Sequence, residues 1–138
     1  MINDNIKILV AYRIEQAEES LVASRVLLNK DLIRPSVNRS YYSMFYAVLA
    51  LLATRKQETS KHSGAISLFD RVFVKSRIFP KEFSRWIHDA FDLRQRSDYT
   101  PRALIERDTA NEVLRQAEKF INHTKVILDS IYDQDADT

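Results

Sequence analysis

Cysteine is absent from this chain of 138 residues, and glycine occurs once. Without cysteine there is no disulfide framework, no zinc-thiolate site and no thiol nucleophile. A single glycine excludes a Rossmann fingerprint and a P-loop, which need glycine where phosphate meets backbone. It also argues against a sheet protein, which uses glycine at hairpins and bulges, when average usage would supply about ten. No charge of one sign dominates: 21 Lys+Arg stand against 19 Asp+Glu, for a net charge of +2. That balance excludes a strongly basic, histone-like nucleic-acid binder. Long apolar runs are missing too. The stretch Ala47–Ala53 is typical, far below the roughly 20 residues of a membrane span. The N-terminal MINDNIKILVAYR lacks the basic, apolar, small-residue order of a signal peptide. The expectation is a cytoplasmic protein.

What remains is an ordinary globular mix, 45% hydrophobic and 29% charged, patterned for helices. Five segments follow the 3.6-residue period. The first spans about 3–29, with Ile6, Leu9, Val10, Ile14, Ala17, Leu21, Leu27 and Leu28 on one stripe and Arg13 inside it. The second spans about 35–54 and is apolar nearly all round: Val37, Tyr41, Met44, Val48 and Leu51 on one side, Tyr42, Tyr46 and Leu49 on the other. Such a helix is either the centre of a bundle or shared with a second subunit, and we expect a homodimer on this ground. The third starts near Ser63 and ends before Pro80, the fourth covers about 81–97, and the fifth runs from 105 or 106 to about 132. Short connections between long helices make neighbours antiparallel. The expected fold is all-α: an up-down four-helix bundle with one additional short helix, a single domain over 1–133, and a frayed acidic tail at 134–138.

Charge is uneven despite the balance. Between Arg55 and Arg85 eight basic residues face three acidic ones, a local +5 that leaves −3 for the rest. This is either a solvated face or a landing area for a polyanion. The segment LRQRSDYTP is the most unusual. Phe83, Ile87, Ala90 and Arg94 succeed one another at helical steps, so Arg94 falls in the middle of an apolar stripe. A guanidinium there must be paired or must line a cleft, because unpaired burial costs several kcal/mol. Asp98, four residues on, shares that side. The pair is either a local staple at the helix end or a polar cluster facing a groove. His62, His88 and His123 show no metal-binding spacing. Taken singly, each suits a surface or structural role. No cofactor or metal is expected.

Three segments together resemble the HEPN superfamily, in particular small stand-alone prokaryotic members with an Arg-x-x-x-Asp-Tyr motif: RSYYSMFYAVLALL, KHSGAISLF and LRQRSDYTP. The likeness covers nearly the whole chain. It implies a dimerising helical bundle in which an Arg, followed four to six residues later by His, forms a metal-independent ribonuclease site at the dimer cleft. It also implies a toxin–antitoxin module whose partner is a minimal nucleotidyltransferase. Arg94, Asp98 and Tyr99 match the motif and are the candidate catalytic residues, with RNA as target. Tyr99 is the candidate acceptor of adenylyl groups from the partner. No His follows Arg94 within six residues, so the resemblance leaves two readings open: an endoribonuclease, or a catalytically silent nucleotide-binding or adaptor domain.

Overall fold

Asn3 sets where the first helix begins. In the computed structural model its side-chain oxygen accepts the N–H of Ile6 at 2.9 Å, an N-cap that satisfies one of the orphan donors of the first turn. Residues 2–59, 61–99 and 104–137 are described, with 97–99 described in backbone alone. Among them are five α-helices: α1 (Asp4–Asn29), α2 (Ile33–Thr54), α3 (His62–Phe69), α4 (Lys81–Tyr99) and α5 (Arg107–Ala136). No helix among the described residues is long and apolar enough to cross a membrane. The all-α bundle expected from the periodicity is observed.

With one glycine in the chain, other residues make the helix stops. After α1, Asp31 takes φ 60°, and the N–H groups of Asp31 and Leu32 bond the carbonyls of Leu28 and Leu27. After α2, Lys56 takes φ 56°, with Lys56 and Gln57 bonded to Ala53 and Leu52. Both are the closing pattern usually built on glycine. A side chain in this left-handed region costs roughly 1–2 kcal/mol. Lys56→Gly is therefore expected to raise the unfolding free energy by about 0.5–1 kcal/mol, glycine's extra freedom in the unfolded chain offsetting part of the relief. A higher urea midpoint at unchanged slope is the readout. An unchanged midpoint contradicts the strain.

α2 is the central helix. Val37, Tyr41, Met44, Ala47, Val48, Ala50 and Leu51 are all fully buried, and α2 packs against α1, α3, α4 and α5. Its apolar surfaces are thus largely covered within one chain, and they no longer argue by themselves for a second subunit. Small residues let α1 and α2 approach closely. The Ser24 hydroxyl lies 3.0 Å from that of Ser36 and 2.6 Å from that of Ser40, all three buried. The Ser36 hydroxyl also donates to the Ser24 carbonyl at 2.9 Å.

α3 is shorter than its pattern suggests. After Phe69 the hydrogen bonding widens to a π-helical turn, Asp70–Val74, whose register shows in the Lys75 N–H bonding the Asp70 carbonyl at 2.8 Å. Arg77 then turns the chain at φ 66°. The extra residue brings Phe69, Phe73 and Phe79 together, with Phe83 and Phe120 beside them, in one aromatic core between α3, α4 and α5. α5 continues to Ala136, past the expected end. It takes in most of the acidic segment expected to fray, and the Ile2 N–H donates to the Asp135 carboxylate at 3.1 Å.

Candidate functional site

Arg94 lies on the face of α4 that packs toward α2, as its place in the apolar stripe requires. Its guanidinium carbon is 5.5 Å from the ring centre of Tyr41 and 5.1 Å from that of Tyr42. Stacking a cation on aromatic faces is one way to keep a half-buried guanidinium among apolar neighbours. Tyr42 takes a second cation as well, Arg39, at 4.7 Å, and Arg39 donates to the Asn38 side-chain oxygen at 3.0 Å. Two arginines from two helices therefore share one tyrosine ring.

The third participant comes from a distant part of the sequence. His62, the first residue of α3, holds its Nδ1 2.7 Å from the Tyr41 hydroxyl. Its ring stacks on Phe45, centres 4.1 Å apart and planes within 5°, and Tyr42 meets it edge-on at 5.5 Å. The connection after α2 makes this possible. Phe45 is nine residues before Thr54, about 14 Å along the helix. A span of that length is within the reach of the five residues between Lys56 and His62, which when extended cover about 3.3 Å each. Gly64 allows the final approach, since a Cβ there would sit 2.9 Å from the Thr59 hydroxyl.

Burial sets the protonation states. Tyr41 is fully buried, and desolvation pushes its phenol well above the ordinary value, although Arg94 pulls the other way. It stays protonated and acts as a hydrogen-bond donor. His62 is shifted below 6.5, first by burial and then by the Arg94 charge, so it is neutral at pH 7. A histidine that resists protonation in the folded state gives the unfolded state more bound protons below pH 6.5. Its contribution to stability is complete above that value and is lost as pH falls. The wild-type protein should lose more unfolding free energy than His62→Gln between pH 7.5 and 5. Equal losses in urea titrations contradict a depressed His62.

The sequence-predicted residues fare unequally. Arg94 is in the cluster. Asp98 and Tyr99 belong to the last turn of α4, but their side chains lie outside the described residues, as do Thr100–Ala103 altogether. His88 and His123 take the structural roles expected of isolated histidines. His88 Nε2 meets Asp70 Oδ2 at 2.6 Å, tying the π turn to α4, and His123 packs edge-on to Phe79 at 4.6 Å. His62, Tyr41 and Arg39 were not singled out by sequence reasoning as site residues. The signal for His62, a histidine beside the lone glycine, became meaningful only with its partner known.

A groove of about 660 Å³ lies elsewhere, between α4 and α5, lined by Asp89, Asp92, Leu93, Arg96, Glu112 and Val113 among others. It uses the opposite face of α4 from Arg94 and holds a preponderance of acidic groups, so it is a poor place for an anion. Among the described residues no three His, Asp or Glu side chains gather as a metal site would need. The Arg94 cluster offers two guanidiniums, a neutral imidazole and the partly exposed ring of Tyr42. That set suits a phosphate ester carrying an aromatic base.

Comparison with known proteins gives the family. The family described as "HEPN domain" matches residues 10–127. Two proteins of Methanocaldococcus jannaschii named "putative toxin" are similar to the chain. One is 39% identical over 83% of this chain and 78% of its own length. The other is 33% identical over 95% of this chain and 97% of its own. A protein of Thermotoga maritima named "UPF0332 protein" is 32% identical over 94% of this chain and 97% of its own.

Proposed function

The chain belongs to the HEPN domain family, and from that premise we propose that it is the toxin-like component of a two-component module. In this reading it is a cytoplasmic homodimer acting on RNA as a metal-independent endoribonuclease, with two Arg94 sites facing each other across the dimer. A minimal nucleotidyltransferase is its partner. The observation that carries the reading is the Arg94 guanidinium held over Tyr41 and Tyr42, with Arg39 on the same Tyr42 ring. It is a preformed cationic and aromatic seat for a single-stranded nucleotide. The "putative toxin" names of two relatives support the module type.

Roles follow from chemistry. Arg94 clamps the phosphoryl oxygens and stabilises the charge that builds on them as the 2′-OH attacks. Asp98 and Tyr99 lie one turn further along the chain, and Tyr99 donates a hydrogen bond to the phosphate. Tyr99 is also the residue the partner modifies. The phenol oxygen attacks the α-phosphate of ATP, pyrophosphate leaves, and the new phosphodiester puts negative charge where RNA phosphate must bind. The second reading is a catalytically silent adaptor. The specific observation in its favour is that LRQRSDY supplies no His after Arg94, and cleavage through the 2′-OH needs acid and base groups near neutrality.

Induced expression in a bacterial host separates the two. The first reading expects growth arrest and fragmented RNA, both lost with Arg94→Ala. It also expects relief by the co-expressed nucleotidyltransferase, with one adenylyl mass on the wild-type chain and none on Tyr99→Phe. Normal growth and intact RNA, with the partner still bound, is the outcome that favours the adaptor.

A further inference from the structure

Nothing in the chain's local sequence connects His62 to Arg94, yet both rest against the same tyrosine. We infer that His62 is a second anion ligand of this site, presenting its Nε2–H to a phosphodiester oxygen beside the Arg94 guanidinium, with Tyr41 as the positioning residue that fixes the tautomer. The inference rests on the RNA reading for the identity of the ligand, and on geometry for everything else.

Tyr41 is 0% exposed, and a buried O–H must have an acceptor. The Nδ1 of His62 at 2.7 Å is that acceptor. A neutral imidazole accepting at Nδ1 carries its proton on Nε2. The ring is therefore a donor toward any ligand, and not a free base. Its orientation is fixed on two sides, by stacking on Phe45 at 4.1 Å and by the edge of Tyr42 at 5.5 Å. Few rotamers remain to be lost when a ligand binds. Partial burial and the nearby guanidinium both hold the ring neutral. A neutral donor next to a cation suits a diester carrying one negative charge. Arg94 supplies the charge and His62 a directed hydrogen bond, without a second buried cation.

This assignment differs from a structural histidine in what it predicts. The probe is a short, fluorescein-labelled, 2′-O-methyl single-stranded oligoribonucleotide, which binds but is not cleaved, followed by fluorescence anisotropy over a salt series. Arg94→Ala should weaken binding at least tenfold and lower the salt slope by about 0.7, the share of one phosphate contact on a single strand. His62→Ala should weaken binding about tenfold, the worth of one good hydrogen bond, with the salt slope unchanged. His62→Gln places an amide donor near the former Nε2 and should bind within about threefold of wild type. A merely structural His62 gives no such rescue. The 15N shifts of the His62 ring should show the Nε2–H tautomer in the wild type and a mixture in Tyr41→Phe.

Each contrary result has a distinct meaning. If His62→Ala binds like wild type while Arg94→Ala does not, the inference fails and the RNA reading stands. The same holds if His62→Gln is as weak as His62→Ala. A wild-type ring with its proton on Nδ1 overturns the donor assignment whatever RNA does. A wild-type protein with no affinity for the probe overturns the RNA reading, and the assigned ligand with it.

Discussion

Replacing Arg94 with alanine should reduce RNA cleavage by about two to three powers of ten and leave the bundle folded. The size of the functional loss comes from the role. A single preorganised donor aimed at developing charge contributes about 10²–10³ in rate. The stability cost is smaller for a structural reason. The guanidinium sits over Tyr41 and Tyr42, contacts of about 0.5–2 kcal/mol. A fall of about 1–2 kcal/mol in unfolding free energy is expected. Arg94→Lys keeps the charge but loses the planar fork, and it should recover little of the activity. A loss of more than about 4 kcal/mol, with cleavage per folded molecule intact, would make Arg94 a structural staple instead.

The largest stability effect should come from Phe120→Ala. This ring is 0% exposed and lies 5.4 Å from Phe69, 5.8 Å from Phe79 and 5.6 Å from Phe83, centre to centre. It joins α5 to α3, to Phe79 in the connection before α4, and to Phe83 of α4. Deleting a buried phenyl typically costs about 3–5 kcal/mol, because surrounding rings collapse only partly into the space. Total stabilities run about 5–15 kcal/mol, so this one change removes a large share. Activity should fall with it above the lowered melting point, since α3 and α4 carry His62 and Arg94. A cost below about 1 kcal/mol would mean that the aromatic core repacks freely.

Much of this was legible in the residues. The helical period located four of the five helices to within a few positions and the third at its start, though not at its end, and the all-round apolar character of α2 left it either central or shared with a second subunit. The steps from Phe83 to Arg94 placed one arginine on an inner face, where the structure has it. Other features left no readable trace. The π turn at Asp70–Val74 is a shift in hydrogen-bond register with no residue type to announce it. The left-handed Lys56 and Arg77 stand where a glycine would have signalled a stop. The dimer expectation drew on the apolar surplus of α2, and the chain itself covers most of that. The meeting of His62 with Tyr41 joins the start of α3 to the middle of α2, 21 positions apart in the chain. Contacts of that kind join residues far apart in sequence, and no local pattern encodes them. For that reason a histidine judged unremarkable on its own sits beside the arginine that was singled out.

Everything functional in this account turns on whether the Arg94 cluster acts on RNA. The direct measurement is incubation of the purified wild-type protein with single-stranded RNA in EDTA, followed by separation of the products by length. Fragments should accumulate with time in EDTA, and none should come from the all-deoxy strand of the same sequence, which lacks the attacking 2′-OH. RNA that stays full-length at protein excess would contradict the ribonuclease reading.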